Sequence, residues 1–310
     1  MTMAPPVSVA QAGRSSIGAF VLAMSHAWGP RGRLRIVVRE FRRNRGATVG
    51  AVVLGLLILV GFFAPVLAPH DPVKVVAGDS LKPPSVQYFL GADLYGRDVF
   101  SRLIFGTRIS LAIGVVAVGI GAGIGVPVGL IAGWMSGSID VAITRVTDAM
   151  LAMPGILLAL SIITVLGPGL NNAVIAVGIA SIPTFVRLVR GCVLATKENA
   201  YVDAARVLGC STGRIMFRHL LPNVVVPIIV LSSLAMGTAI LSAAGLSFLG
   251  LGAQAPTPEW GLAVSDGRDF LETAWWISTF PSLAIMIAVF SVNLLGDGLR
   301  DALDPRLHGR

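Results

Sequence analysis

Charged residues, lysines and cysteines are all scarce in this chain. Only 13% of its 310 residues are Asp, Glu, Lys or Arg, whereas about a quarter is usual in soluble domains. Because 55% of the residues are hydrophobic and the mean hydropathy is +0.81, the composition excludes an ordinary soluble protein. The two cysteines, Cys192 and Cys210, have no partner at metal-ligand spacing, so we expect ordinary small residues there. The chain is predicted to be an all-α integral membrane protein.

The lysines exclude ATP binding by a P-loop, whose lysine follows a glycine and precedes Ser or Thr so that it reaches the phosphates. The chain has three lysines, and they follow Val73, Leu81 and Thr196. Any ATP that powers this protein must therefore bind to another chain. We expect no cofactor in this chain, with ATP and magnesium held by partner chains.

Long uncharged runs predict the membrane-spanning helices, because about twenty apolar residues are needed to cross roughly 30 Å of hydrocarbon. One run is too long for a single crossing, and Gly167-Pro168-Gly169 divides it in two. We therefore predict six helices. The runs comprise residues 47–67, 109–139, 149–186, 224–245 and 275–296.

The basic residues predict the orientation, because Lys and Arg in short loops favour the cytoplasmic side. A cluster of arginines precedes the first span, which places the N-terminus in the cytoplasm. Six crossings from there leave 18 basic residues inside and six outside, and they return the C-terminus to the cytoplasm. This distribution indicates topology and attraction to the anionic lipid of the bilayer, not nucleic-acid binding.

These spans divide the chain into five parts. They are an N-terminal tail at 1–46, a first transmembrane helix at 47–68, an extracytoplasmic segment at 69–107, a five-helix core at 108–298 that includes a polar loop at 191–222, and a cytoplasmic tail at 299–310. Apolar residues at helical spacing among arginines predict an amphipathic helix at 33–43 on the inner membrane surface, with disorder as the alternative.

Ionisable residues are missing from the centres of the six predicted spans. An ion-coupled carrier usually keeps such a residue at mid-membrane depth as a ligand for its ion. An ion-coupled secondary transporter or channel is therefore only the alternative prediction. Paired aspartates, a His-Glu-x-x-His motif and a serine with a histidine are missing from the spans as well, so we do not expect an enzyme.

The polar loop is a basic, helix-forming segment in an otherwise apolar chain. Asn199 is predicted to cap a first short helix, and Gly209 to supply the positive φ that ends it. Ser211 is predicted to cap a second helix that reaches Leu221, just before the next span. The result would be a helix-turn-helix on the cytoplasmic face.

The same loop offers groups for a partner surface. Ala204 and Ala205 are small enough to allow close approach. Arg206, Arg214 and Arg218 can form charge-assisted bonds to acidic groups. The alternative is a structured loop that only joins two spans.

This loop resembles the coupling motif of ABC transporter permeases, which docks into the ATPase. The motif has Glu-Ala-Ala, a glycine four residues after the second alanine, an apolar residue and Leu-Pro. The matching residues are Asp203, Ala204, Ala205, Gly209, Ile215, Leu221 and Pro222. Asp203 in place of glutamate keeps the charge and shortens the reach. The resemblance implies that these residues, with Arg206, form the ATPase contact.

Further runs narrow the resemblance to the C-type subunit of the dipeptide, oligopeptide and nickel permeases, and they extend over residues 41–306. They include Phe41-Arg42-Arg43-Asn44, Leu90-Gly91-Ala92-Asp93, Gly96-Arg97-Asp98-Val99, the stretch from Leu246 to Gly252, Pro258-Glu259-Trp260-Gly261 and the stretch from Asn293 to Asp297. The resemblance implies a type I ABC importer permease fold in the plasma (inner) membrane of a bacterium.

The resemblance also implies partners and a cargo. The expected partners are a second, B-type permease subunit, two ABC ATPase subunits that bind ATP and magnesium, and an extracytoplasmic substrate-binding protein. A homodimeric pore is the alternative to this heterodimer. The expected cargo is a dipeptide, an oligopeptide, a nickel chelate or haem.

Charged and aromatic residues of the outer loops are candidates for docking the binding protein or for gating. They are Asp93, Arg97, Asp98, Glu259 and Trp260. A short helix from Arg97 to Phe105 is predicted to lie at the outer surface. The alternative role for these residues is to hold the pore mouth in shape.

A glycine stripe is the last feature of the spans. Gly121, Gly125, Gly129 and Gly133 recur every four residues and form a smooth helix face. Such a face permits close helix packing in lipid. Packing inside this subunit and contact with a partner permease both fit it.

Overall fold

The computed structural model describes residue 41 and residues 43–303. The regular secondary structure in that part of the chain is helical. The helices are α1 (Arg45–Phe62), α2 (Ala64–Leu67), α3 (Val99–Met135), α4 (Gly137–Leu151), α5 (Gly155–Leu166), α6 (Leu170–Lys197), α7 (Ala200–Val207), α8 (Thr212–Ile215), α9 (Leu221–Phe248), α10 (Trp260–Gly267) and α11 (Trp276–Leu303). The predicted amphipathic helix at 33–43 lies almost entirely outside the described residues.

Five helical stretches are long and apolar enough to cross a membrane, namely α1, α3, α6, α8 with α9, and α11. α4 and α5 reach this length only as a pair, and their axes are bent by 94°. Both ends of the described chain meet at one end of the bundle, where the Asn44 side-chain amide donates to Asp301 Oδ2 at 3.0 Å. Only an even number of crossings returns the chain to its starting side, so the bent pair makes the sixth crossing. The all-α prediction with six helices is confirmed.

The two ends of the bundle differ in what covers them. We call one the basic end, where α1 begins, α3 and α6 finish, α9 begins and α11 finishes. We call the other the capped end, because residues 63–98 and 249–275 cover it. Each end carries one of the two groups of candidate residues.

The structure corrects the predicted start of the second span. α3 begins at Val99 rather than near Ile109. Its 37 residues give a helix of about 55 Å, longer than one crossing requires. The separate surface helix predicted from Arg97 to Phe105 is wrong, because residues 99–105 form the first turns of α3. The charged residue Arg102 does not interrupt α3, because its side chain is buried and lies 3.6 Å from a carboxylate of the cap.

The predicted start of the third span, Ala149, is also wrong. Residue 149 begins no helix, because it lies near the end of α4, which reaches the length of a crossing only together with α5. Asp140 and Asp148 of α4 pair with Arg190 and Arg187 of α6 at 2.5 and 2.6 Å. These two ion pairs hold α4 against the basic end of α6.

α3 and α6 are in close contact along the glycine stripe. A Cβ atom at Gly125 would lie 2.6 Å from Phe185 Cβ, and one at Gly133 would lie 2.6 Å from Val193 Cβ. Any larger side chain would force the two helices apart. The stripe is therefore used for packing inside this chain's own bundle, which is one of the two roles that the sequence left open.

Two apolar clusters hold the bundle together. One joins α3, α5, α6 and α9 and includes Ile113, Ile163 and Leu246. The other lies at the basic end, where it joins α3, α6 and α9 to the polar loop. Burial of apolar surface in this second cluster positions the loop.

Candidate functional site

The polar loop forms two short helices at the basic end. α7 ends at Val207, Gly209 has a φ of +73°, and α8 starts at Thr212. Glycine adopts this left-handed conformation without a steric penalty, so the chain can reverse here. A π-helical turn at Met216–Leu220 joins α8 to α9. We call residues 200–220 the helix-turn-helix segment.

The two predicted side-chain caps of this segment are wrong. The Asn199 side-chain amide donates to Thr196 O at 2.9 Å, which belongs to the preceding helix. Ser211 accepts from Ile215 N through its backbone carbonyl at 3.0 Å, and its hydroxyl makes no capping bond. The segment is held by packing rather than by caps.

The inner face of the segment is buried against the bundle. Val202, Ala205, Ile215 and Leu220 pack with Leu130, Val189, Val193 and Val224. Two residues of the predicted motif, Ala205 and Ile215, therefore anchor the segment to its own chain. Ala205 is not available to a partner surface.

The remaining motif residues reach the surface. Asp203, Ala204, Gly209 and Pro222 are exposed, and Leu221 is half-buried at the start of α9. The structure thus brings the predicted motif together at one end of the bundle and divides it into an inward and an outward set.

Exposed apolar side chains mark the outer face of the segment. Val207 and Leu208 are 88% and 82% exposed, and Phe217 is 66% exposed. Such side chains on a polar, basic segment indicate a contact surface. These three residues were not predicted from the sequence. The apolar pair Val207-Leu208, which lies directly before Gly209 and outside the spans, could have indicated them.

Charged side chains flank this apolar face. Arg206 Nη1 donates to Asp203 Oδ1 at 3.2 Å, and its guanidinium carbon lies 4.8 Å from the centre of the Trp134 ring. Arg214 and Arg218 are exposed, and neither forms a salt bridge with another described residue. These two guanidinium groups are therefore available to acidic groups of a partner.

A second group of candidates forms a buried ionic network at the capped end. Arg97 Nε donates to Asp93 Oδ2 at 2.6 Å, and Arg97 Nη2 donates to Asp266 Oδ2 at 3.1 Å. Arg102 donates to the carbonyls of Pro72 and of residues 256 and 257. Burial raises the pKa of the Asp266 carboxyl, while the nearby arginines oppose that shift. The network ties the 63–98 segment to α10.

The other three outer candidates are also buried. Asp98 caps α3 by accepting from Ser101 N at 3.0 Å, and Glu259 caps α10 by accepting from the backbone of residues 261 and 262. The Trp260 indole donates to Leu103 O at 3.0 Å. Burial raises the pKa of Glu259, and the two backbone bonds lower it.

The burial of these candidates bears on their role. Asp93, Arg97, Asp98, Glu259 and Trp260 are each 1–2% exposed. Side chains at this depth cannot touch a docking protein while the cap is folded. The arrangement therefore favours the role of holding the capped end in shape, and a docking surface would have to be formed by other residues.

Tyr88 and Asp79 form a further contact in the cap that the sequence did not indicate. The Tyr88 hydroxyl donates to Asp79 Oδ2 at 2.5 Å, and this bond raises the pKa of Tyr88 to about 12. The pKa of Asp79 is lowered, first by its bond with Lys82 and then by Tyr88. Among the residues that the structure describes, no group of His, Cys, Asp and Glu is arranged to hold a metal ion.

Two family domains match this chain. Residues 125–309 match the family described as binding-protein-dependent transport system inner membrane component. Residues 32–84 match the N-terminal transmembrane domain of oligopeptide transport permease C. The two matches leave only the segment from 85 to 124 between them.

Curated relatives match over most of the chain. The dipeptide transport system permease protein DppC of Alkalihalophilus pseudofirmus is 45% identical over 273 residues, which cover 88% of this chain and 90% of that protein. The di/tripeptide transport system permease protein DppC of Pseudomonas aeruginosa is 46% identical, with 87% and 91% covered. The glutathione transport system permease protein GsiD of Escherichia coli is 49% identical, with 87% and 90% covered.

Among solved structures, chains from two inward-facing forms of the MetNI methionine ABC transporter resemble this one. Their TM-scores are 0.55 and 0.54, at 20% sequence identity. The matched region covers 66% of this chain and 97% and 98% of those chains. At this identity the likeness concerns the fold alone.

Proposed function

The chain belongs to the family of binding-protein-dependent transport system inner membrane components, and we infer from this that it forms half of the pore of an ATP-driven importer. Together with the permease C domain and relatives at 45–49% identity, the match makes it an ABC peptide permease of the C type. The resemblance and the type I permease fold predicted from the sequence are confirmed. The coverage of residues 32–84 and 125–309 by the two domains is the observation that carries the function.

The power for transport is assigned to partner chains. A permease of this family moves its cargo without transforming it, and the three lysines here do not fit a P-loop. We assign ATP and magnesium to two ABC ATPase subunits. A second, B-type permease would complete the pore.

The helix-turn-helix segment is the proposed dock for an ATPase subunit. Val207, Leu208 and Phe217 offer apolar side chains that lose contact with water on docking. Exposed Arg214 and Arg218 beside them suit acidic groups on the partner. The buried inner face joins the segment to three membrane-crossing helices, so a movement of the dock would be delivered to the pore.

The orientation follows from the charges. We place the basic end in the cytoplasm of a bacterial cell and the capped end outside, because basic residues in short loops favour the cytoplasmic side. Asn44 and Asp301 meet at the basic end, so both neighbouring tails are assigned to the cytoplasm. This orientation puts the helix-turn-helix segment on the side where ATP is available.

Short peptides are the proposed cargo. The relatives are named for the transport of dipeptides, di- and tripeptides and glutathione. An external binding protein would deliver the peptide to the capped end. Alternating access of the pore to the two sides would then follow the association of the ATPase subunits.

Reconstitution in liposomes tests this function. The liposomes contain this chain, its partner permease and the ATPase subunits, with the binding protein outside. We expect uptake of a labelled dipeptide that requires ATP and all the subunits. Uptake by this chain alone, driven by an ion gradient, would instead support the ion-coupled alternative.

A further inference from the structure

Two cations from the polar loop lie against the basic end of α3. Lys197 Nζ donates to Gly133 O at 3.2 Å and to Ser136 Oγ at 3.0 Å. Gly133 lies in the last turn of α3, where unpaired carbonyls carry the negative end of the helix dipole. Arg206 of α7 lies over the ring of Trp134, at 4.8 Å from its centre.

Trp134 is well placed to join the segment to α3. Its side chain is half-buried and packs against the apolar cluster that also contains Val202 and Ala205 of α7. The indole therefore packs against the cluster that holds α7 to the bundle. Arg206, four residues after Val202, meets the ring face itself. The preference of a guanidinium for an indole face fixes the distance between the two helices.

Asp203 restricts the orientation of Arg206 in this contact. Its carboxylate accepts from Arg206 Nη1 at 3.2 Å. An ion pair between residues three apart on one helix limits the rotamers that the arginine can adopt. Asp203 and Trp134 thus both contact the Arg206 guanidinium, which keeps it over the end of α3 although the side chain remains partly exposed.

We propose that Trp134 and Arg206 are positioning residues that deliver movement of the helix-turn-helix segment to α3, which is not adjacent to it along the chain. The segment is continuous with α6 and α9 through the chain, but it reaches α3 only through side chains. α3 extends from this contact to the buried cap, where its first turns hold Arg102 and the Trp260 contact. The contact would carry a movement at the dock to the outer end of the pore.

This inference rests on the proposed function, because it concerns coupling of ATP hydrolysis to transport. It also changes the role of one predicted residue. The sequence assigned Arg206 to the ATPase contact with the neighbouring motif residues, whereas its geometry assigns it to this chain's own α3. Mutation of Arg206 or Trp134 should therefore impair the coupling of ATP hydrolysis to transport without preventing the ATPase subunits from docking.

The test uses the full complex reconstituted with its binding protein, and it measures labelled dipeptide taken up per ATP hydrolysed. We expect Trp134→Leu and Arg206→Gln each to lower this ratio by about two- to fivefold, the equilibrium factor that corresponds to a cation–π contact at a partly exposed site. ATPase subunits should still co-purify with both variants. The double variant should be no worse than either single one, because both remove the same contact.

Conservative variants distinguish positioning from general damage. Trp134→Tyr keeps an aromatic face and Arg206→Lys keeps the cation, so both should recover most of the ratio. Arg145→Gln and Trp275→Leu are the matched controls, because Arg145 is exposed on α4 and Trp275 is exposed at the capped end. We expect neither control to change the ratio.

Three results would overturn the inference. They are an unchanged ratio in Arg206→Gln, a failure of Trp134→Tyr to recover activity lost in Trp134→Leu, and multiplicative losses in the double variant. Absence of ATP-dependent uptake by the unmodified complex is a different result. It would overturn the proposed function and this inference with it.

Discussion

Buried carboxylates at the capped end show how single residues shape this protein. Asp93 accepts from Arg97 at 2.6 Å and lies 3.6 Å from Arg102, and all three side chains are buried. A guanidinium group carries a positive charge and can only donate hydrogen bonds. Asp93 lies beside both guanidinium groups and, together with Asp266 beside Arg97, compensates their charges away from water.

Replacement of Asp93 by asparagine removes the negative charge and nearly preserves the shape of the side chain. We expect Asp93→Asn to lower the free energy of unfolding by about 3 kcal/mol, because breaking a buried ion pair leaves an uncompensated charge. The thermal unfolding midpoint of the purified protein in detergent measures the effect. Asp269→Asn is the control, since Asp269 is exposed and, among the residues that the structure describes, pairs only with its neighbour Arg268 at 3.4 Å. Equal shifts for the two variants would contradict the role given to Asp93.

Residue roles that depend on neighbouring residues could be predicted from the sequence, and roles that depend on distant partners could not. Gly209 could be recognised because a glycine after a helix is needed for a positive φ, and the structure has +73° there. Arg97 could be recognised as a candidate but not as a buried residue, because its partner Asp266 is 169 positions away. Local pattern carries no information on which distant loops meet.

The packing of helix pairs could also be predicted only in part from the sequence. The glycine stripe of α3 predicted close packing, and the structure adds the partner, which is α6. The contact brings backbone and Cβ atoms together, so it cannot relax by rotation of a flexible side chain. α3 and α6 therefore behave as one packed unit.

Two neighbouring glycines of α3 provide a matched pair of variants. A Cβ atom at Gly125 would lie 2.6 Å from Phe185 Cβ and 2.9 Å from Ile182 O, whereas one at Gly123 would have no neighbour within 4 Å. We expect Gly125→Ala to lower the free energy of unfolding by about 1–3 kcal/mol, as overpacking does. Gly123→Ala should be neutral or stabilising, because alanine favours the helix. Thermal unfolding in detergent measures both, and an equal loss in Gly123→Ala would refute the packing argument.

The spans could be predicted because uncharged runs of sufficient length have few alternatives in a membrane. The boundaries of the spans could not be predicted in the same way. α3 begins ten residues before the predicted start, since Arg102 donates to a carbonyl of the cap rather than to water and Asp98 caps the helix. The bend between α4 and α5 falls at Pro154, whose ψ of 133° interrupts the helix, whereas the ion pairs that join α4 to α6 could not be predicted from a local pattern.

At the scale of the whole molecule, the two ends of the bundle have different proposed partners, an ATPase at the basic end and a peptide-delivering protein at the capped end. An even number of crossings returns Asn44 and Asp301 to the same end, and the helix-turn-helix segment lies there with them. The capped end carries the buried network. Orientation in the membrane thus decides whether the proposed function is possible.

Site-specific labelling tests the orientation. In a variant without Cys192 and Cys210, a cysteine is placed either at Val86, which is 93% exposed in the cap, or at exposed Gly213 in α8. A membrane-impermeant maleimide should label Val86→Cys in right-side-out vesicles and Gly213→Cys in inverted vesicles, because basic loops favour the cytoplasm. The reverse pattern would contradict the assignment and remove the segment from the ATPase.

The helix-turn-helix segment is proposed to transfer the energy of ATP hydrolysis to a peptide pore. The most direct test is the amount of dipeptide taken up per ATP hydrolysed by reconstituted complexes that contain Gly209 variants. A Cβ atom at this position would meet no neighbour within 4 Å, so a substitution acts only through the backbone at φ +73°. We expect Gly209→Val to lower the ratio by about tenfold, since the left-handed conformation costs other residues about 1–2 kcal/mol.

Asparagine tolerates that conformation, so Gly209→Asn should keep most of the uptake. Gly213→Ala is the control, because Gly213 is helical, has no positive φ and also has open space around it. The account predicts continued ATP hydrolysis with little uptake for Gly209→Val alone. Full uptake at an unchanged ratio in Gly209→Val would contradict it.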